Sequence, residues 1–124
     1  MRVPFAPASV GVARRRLHTW MLDHGASSAR MEDARVIVSE LVGNAVRHAR
    51  PLPDGTVSVG WSLGGRGLDL SVTDGGADSS PHRVHAPASA VAGRGMAIVD
   101  SLAHTWWVDE SGSRSTVHAV VAMR

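Results

Sequence analysis

The chain has 124 residues and no cysteine, enough for one domain (residues 1–124) with a core of its own, and without disulfides, thiolate nucleophiles or thiolate metal sites. Its formal net charge is only +2; the high isoelectric point near 10.9 follows from the absence of Lys, Tyr and Cys, which leaves little to titrate between His and Arg, and implies no direct nucleic-acid binding. No apolar run approaches the ~20 residues that span a bilayer, and Met1 to Phe5 lack the apolar stretch of a secretory signal, so a cytoplasmic location without membrane association is expected.

In chain order, Ser9 is placed to cap a first helix. Its apolar positions Val10, Ala13, Leu17, Trp20 and Met21 recur at helical spacing, and Gly25 stops it. The cluster Arg14-Arg15-Arg16 on this helix reads as a solvated face more readily than as a phosphate-binding patch. A second helix is predicted from Ser28 to Arg50, with the stripe Ala34, Ile37, Val38, Leu41, Val42 and Ala45, ended by Pro51. Two alternating strands follow. Thr56 to Leu63 sets Val57, Val59, Trp61 and Leu63 on one face, and Leu68 to Asp74 turns Leu68, Leu70 and Val72 inward after a turn at residues 64–67. Residues 75–92, rich in Gly, Ala, Ser, Pro and His, read as a long loop of the kind that serves as a lid. A short helix from Arg94 to Ala103 and two strands, Thr105–Val108 and Thr116–Ala122, close the chain around a turn at Ser111-Gly112-Ser113. The order ααββ, loop, αββ implies an α+β fold, with helices layered on one sheet face.

Three places carry chemistry. Glu40, Asn44 and His48 are spaced by four, which stacks them along one edge of the apolar stripe of the second helix. Such a row either flanks the helix in solvent or looks into a cleft between layers; in a cleft, an amide oxygen and a carboxylate serve a hard cation such as Mg²⁺. Asp74 shares strand parity with Leu68, Leu70 and Val72, so its carboxylate points inward and needs donors. The backbone of Gly75-Gly76 could supply them, and so could the amino group of a bound base. Gly93-Arg94-Gly95 opens a helix after the loop. It is either punctuation or a place where backbone N–H groups and a guanidinium meet phosphate.

In sequence the three read Glu40-Leu41-Val42-Gly43-Asn44-Ala45-Val46-Arg47-His48-Ala49, then Val72-Thr73-Asp74-Gly75-Gly76, then Gly93-Arg94-Gly95-Met96-Ala97-Ile98-Val99-Asp100-Ser101-Leu102-Ala103. Together they resemble the Bergerat-fold ATPase superfamily of gyrase subunits, heat-shock chaperones and sensor histidine kinases. The small size and the wording around Asn44 are most similar to the stand-alone anti-sigma-factor serine/threonine kinases of bacteria. The resemblance covers nearly the whole chain. It implies a two-layer α/β sandwich on a mixed, mostly antiparallel sheet, with ATP and Mg²⁺ as cofactors. It further implies that Asn44 holds Mg²⁺ against the phosphates and that Glu40 is the general base. Asp74 would receive the adenine amino group, and Gly76 would keep the backbone close to the base. Gly93, Arg94 and Gly95 would meet the phosphates, and Thr116 would support the adenine site from a late strand. His48 would lie near the phosphates or simply pack. The partners implied are an anti-anti-sigma protein and a sigma factor, and the oligomer a homodimer, for which the surface from Val10 to Met21 is a candidate.

Two departures from the family pattern bear on catalysis. Where relatives have two glycines after the aspartate, Gly76 fills the first position and Asp78 stands at the second. The loop also carries no lysine. The leading expectation is an ATP-dependent serine kinase, and the alternative is a nucleotide-gated binding protein that sequesters a partner without phosphorylating it. A sensor-kinase catalytic domain is disfavoured, since no phosphoacceptor domain precedes residue 1.

Overall fold

The computed structural model of the chain describes residues 1–77 and 96–123. Among these, β1 (Arg2–Pro4), α1 (Ser9–Asp23), α2 (Ser28–His48), β2 (Thr56–Gly64), β3 (Gly67–Asp74), α3 (Ala97–Leu102), β4 (Thr105–Ser111) and β5 (Arg114–Val121) follow one another. The sheet runs β1-β2-β3-β5-β4, and all four pairings are antiparallel.

In α1, Ser9, Ala13, Leu17 and Met21 are buried, a strict four-residue stripe. The expectation that Ser9 caps this helix is corrected. Ala8 holds the cap position and makes no side-chain hydrogen bond. Ser9 is already helical, and its hydroxyl donates to the Pro4 carbonyl at 2.5 Å, so it ties the helix start to β1. The α2 cap is Ser27, whose hydroxyl accepts the Arg30 N–H. This helix ends at His48 rather than Arg50, because a residue preceding proline is pushed out of helical geometry. Arg50 instead donates its N–H to the Gly76 carbonyl (3.0 Å) and accepts from the Gly75 N–H (2.8 Å). The turn after β3 is thereby stitched to the end of α2.

Helices cover one face of the sheet. α2 packs on α1, β3 and β5, and α3 sits against α2 and β4. Leu17, Met21, Ile37, Val38, Leu41, Val42, Val57, Val59, Leu68, Leu70, Val72 and Val99 share the core between the layers. The alternation read in β2 holds for Val57 and Val59, but Leu63 lies beyond the helices and is exposed. On the opposite sheet face, Trp107 stacks on His118 with ring centroids 4.8 Å apart. The same imidazole lies 3.6 Å from Asp69 and 3.7 Å from Asp109. No helix among the described residues is long and apolar enough to cross a membrane.

Candidate nucleotide site

Asn44 lies on the core-facing side of α2, and Asp74 is the last residue of β3 on the helix-facing side of the sheet. Both are almost fully buried, at 5% and 3% exposure. They line one small cavity together with Leu41, Ala45, Val72, Met96, Val108 and Val117. Two polar groups in an otherwise apolar pocket fix orientation while the walls exclude water. Asp74 accepts the Gly76 N–H at 2.7 Å, so the turn supplies one of the donors its burial demands.

The amide of Asn44 is engaged at both ends. Its Nδ2 donates to the Met96 thioether at 3.3 Å, and its Oδ1 accepts from Arg47 at 2.9 Å. With Met96 seated there, the cavity leaves about 20 Å³ to the centre of a water-sized probe, against the ~10–15 Å³ that one water needs. A base can enter only when Met96, an unbranched and adaptable side chain, turns aside. The donor set suits the proposed group: an acceptor-only carboxylate for an amino group, and an amide oxygen of the kind Mg²⁺ takes. Releasing Arg47 from Asn44 Oδ1 is the step that would free that oxygen.

The turn at Gly75-Gly76 is built for close packing. A Cβ on Gly75 would lie 2.1 Å from the Pro51 carbonyl oxygen. Gly76 has φ +88° and a Cβ there would meet the Ser113 carbonyl at 2.6 Å, a conformation and an approach that only glycine tolerates. Gly76 therefore holds Asp74 in place by packing the β3 turn against the β4–β5 turn.

Glu40 lies elsewhere. It is half-buried and lines an open groove of about 760 Å³ between α1 and α2, with Arg14, Arg15, His18, Arg35 and Ser39 among its walls. Four residues along a 3.6-residue helix turn ~40° past one revolution, enough to put Glu40 in the groove and Asn44 in the cavity. His48 ends the row and is exposed. Thr116 needs correction as the residue beside Asp74. It pairs with Thr73, its hydroxyl lies 2.8 Å from that of Thr73, and both face away from the helices. The residue opposite Asp74 is Ser115, 5% exposed. Its sequence signal was the parity of Val117, Ala119 and Val121. Gly93, Arg94, Gly95 and Asp78, with most of the loop read at 75–92, lie outside the described residues.

A helical layer on an antiparallel sheet, with a buried Asn on the long helix facing a buried Asp at a strand end, is the arrangement of a nucleotide-binding ATPase domain. Residues 3–121 match the histidine kinase-like ATPase domain family, and the chain belongs to it. Within the curated proteins it is similar to the serine-protein kinase RsbW of Oceanobacillus iheyensis, 35% identical over 77 residues that cover 61% of this chain and 49% of the relative. The chain thus spans about half the length of the curated relative it matches.

Proposed function

We propose that the chain is an ATP- and Mg²⁺-binding serine kinase of the anti-sigma-factor type, which phosphorylates a small anti-anti-sigma partner and controls a sigma factor by exchanging partners. The observation that carries the reading is the convergence of Asn44 and Asp74 on one cavity lined otherwise by apolar side chains. The likeness to a serine-protein kinase supports the partner's serine as acceptor. In this reading Asp74 takes the adenine amino group and Asn44 the metal. The γ-phosphorus forms its new bond to the serine oxygen as the bond to the bridging oxygen of ADP breaks, and Glu40 takes the hydroxyl proton. Such transfer depends mainly on positioning and charge neutralisation. The α1–α2 groove supports this division of labour. It ends at Glu40, one helical turn of ~5.4 Å from Asn44, so a partner's serine and the nucleotide could approach that turn from different sides.

A second reading, nucleotide-gated capture of a partner without phosphorylation, is favoured by the tight unliganded cavity and by Asp78 in place of a loop glycine. Incubation with γ-labelled ATP, Mg²⁺ and candidate anti-anti-sigma proteins separates the two. Label on a partner serine supports the kinase. A complex that forms only with ATP and carries no label sinks the kinase reading and leaves the second.

A further inference from the structure

We infer that Glu110 is a specificity-determining residue of the base site, acting with Ser115 to make the floor of that site select an amino-bearing purine over a 6-oxo purine. The inference rests on the nucleotide reading above and adds a residue to it. The register across three strands sets it up. Asp74 on β3 is directly opposite Ser115 on β5, and Ser115 is directly opposite Glu110 on β4. Directly paired residues project from the same face, so the three stand in one row on the helix-facing side of the sheet. Strands lie about 4.8 Å apart, which makes the row about two strand spacings long. The next row on that face is Val72, Val117 and Val108, and all three line the cavity.

The row is buried yet unsatisfied. Exposure is 3% at Asp74, 5% at Ser115 and 7% at Glu110. The Ser115 hydroxyl oxygen is shut off from solvent and has no hydrogen-bond partner among the described residues. A buried hydroxyl left unpaired costs free energy that a ligand group can return, and this one stands between two carboxylates. An ionised carboxylate only accepts, whereas a hydroxyl both donates and accepts. The row therefore offers acceptors at both ends and an adaptable group in the middle. An exocyclic amino group and a neighbouring ring nitrogen fit it. A carbonyl oxygen at the position of the amino group meets fixed negative charge, and rejecting a wrong group by unmatched polar atoms is an effective form of specificity.

One structural role competes. Among the described residues β4 is an edge strand, and an inward-pointing charge on an edge strand discourages pairing between molecules. That role predicts altered self-association in Glu110 variants and no change in base selectivity.

The experiment measures dissociation constants for Mg-ATP and Mg-ITP, which differ at the 6-position, on wild type, Glu110→Gln and Ser115→Ala. Glu110→Gln keeps shape and hydrogen bonding but brings an N–H donor that can satisfy a carbonyl. Wild type should prefer ATP, and Glu110→Gln should narrow the ATP-to-ITP ratio about tenfold, mostly by gaining ITP. Ser115→Ala should narrow it by weakening ATP. Circular dichroism checks the fold of each variant, and should Glu110→Gln not fold, the Ser115→Ala ratio decides. Wild-type ATP binding with a ratio unchanged by the folded variants overturns the inference and leaves the nucleotide site standing. Absence of ATP binding by nucleotide-free wild type overturns both.

Discussion

Asn44 and Glu40 sit one turn apart on α2, yet the structure gives them different surroundings, and this makes them separable by substitution. Asn44→Ala removes the amide oxygen proposed for the metal. It should abolish Mg-dependent ATP binding and every downstream activity together. Glu40→Ala touches a residue in the α1–α2 groove and should leave ATP affinity near wild type while lowering phosphoryl transfer by ~10²–10⁴-fold, the usual weight of a general base. A retained affinity with a collapsed rate marks an interaction made in the transition state. Calorimetry and transfer to the partner serine read the two effects, and wild-type transfer by Glu40→Ala would remove Glu40 from the chemistry. A smaller effect belongs to Asp54. The Thr56 hydroxyl, and beside it the Arg2 guanidinium, hold its carboxyl below its ordinary value of 3.8. A lowered folded-state value means stability present above that ordinary range and lost as pH falls through the folded value. Since the group is exposed, the gain is small. The melting difference between wild type and Asp54→Asn should be slight at neutral pH and vanish in acid.

At the scale of elements, the sequence disclosed what is periodic and concealed what depends on pairing. The α2 stripe from Ala34 to Ala45 and the alternation of β2 and β3 stand in the residues themselves, because side-chain direction repeats with the local backbone. β1 was missed. Its three residues, Arg2-Val3-Pro4, are held as a strand by register with Thr56 to Ser58 on β2, a pairing more than fifty positions distant. Of the site, Asn44 and Asp74 were legible because each is a polar residue on an apolar face. Thr116 was a parity error: one step along a strand reverses the face, and the inner residue is Ser115. Glu110 showed no sign in sequence, since only the registers of two strand pairs bring it into line with Asp74. Gly76 was expected to serve the ligand, and the structure gives it a load in the fold as well. Gly76→Ala should cost about 1–3 kcal/mol from its left-handed backbone alone, and more from the approach to Ser113. Gly65→Ala, where an added Cβ meets nothing within 4 Å, should stay within ~0.5 kcal/mol. Equal melting temperatures for the two variants would refute this account of the β3 turn.

For the whole molecule, the unliganded cavity is nearly filled by its own side chains, so nucleotide must open what it then stabilises. Met96 gives up its contact with Asn44 Nδ2 and Arg47 its contact with Oδ1, and both costs are charged against the binding free energy. A ligand shifts the equilibrium only by its differential affinity for the open form, and the same ligand protects the fold by mass action. At ~100 times its dissociation constant it adds about 2.7 kcal/mol, several degrees of Tm in a domain of this size. Mg-ATP should therefore raise the melting temperature of nucleotide-free protein by that amount, and ATP with EDTA by clearly less, because the Asn44 oxygen then has no metal to hold. Asp74→Asn should shrink the shift in both cases, since it turns a full acceptor into a group that also donates. Differential scanning calorimetry over an ATP series, with and without Mg²⁺, gives all three comparisons. An unshifted melting temperature at millimolar Mg-ATP would mean that the cavity between Asn44 and Asp74 does not open to nucleotide. A shift that EDTA leaves untouched would keep the base site and remove the metal from Asn44.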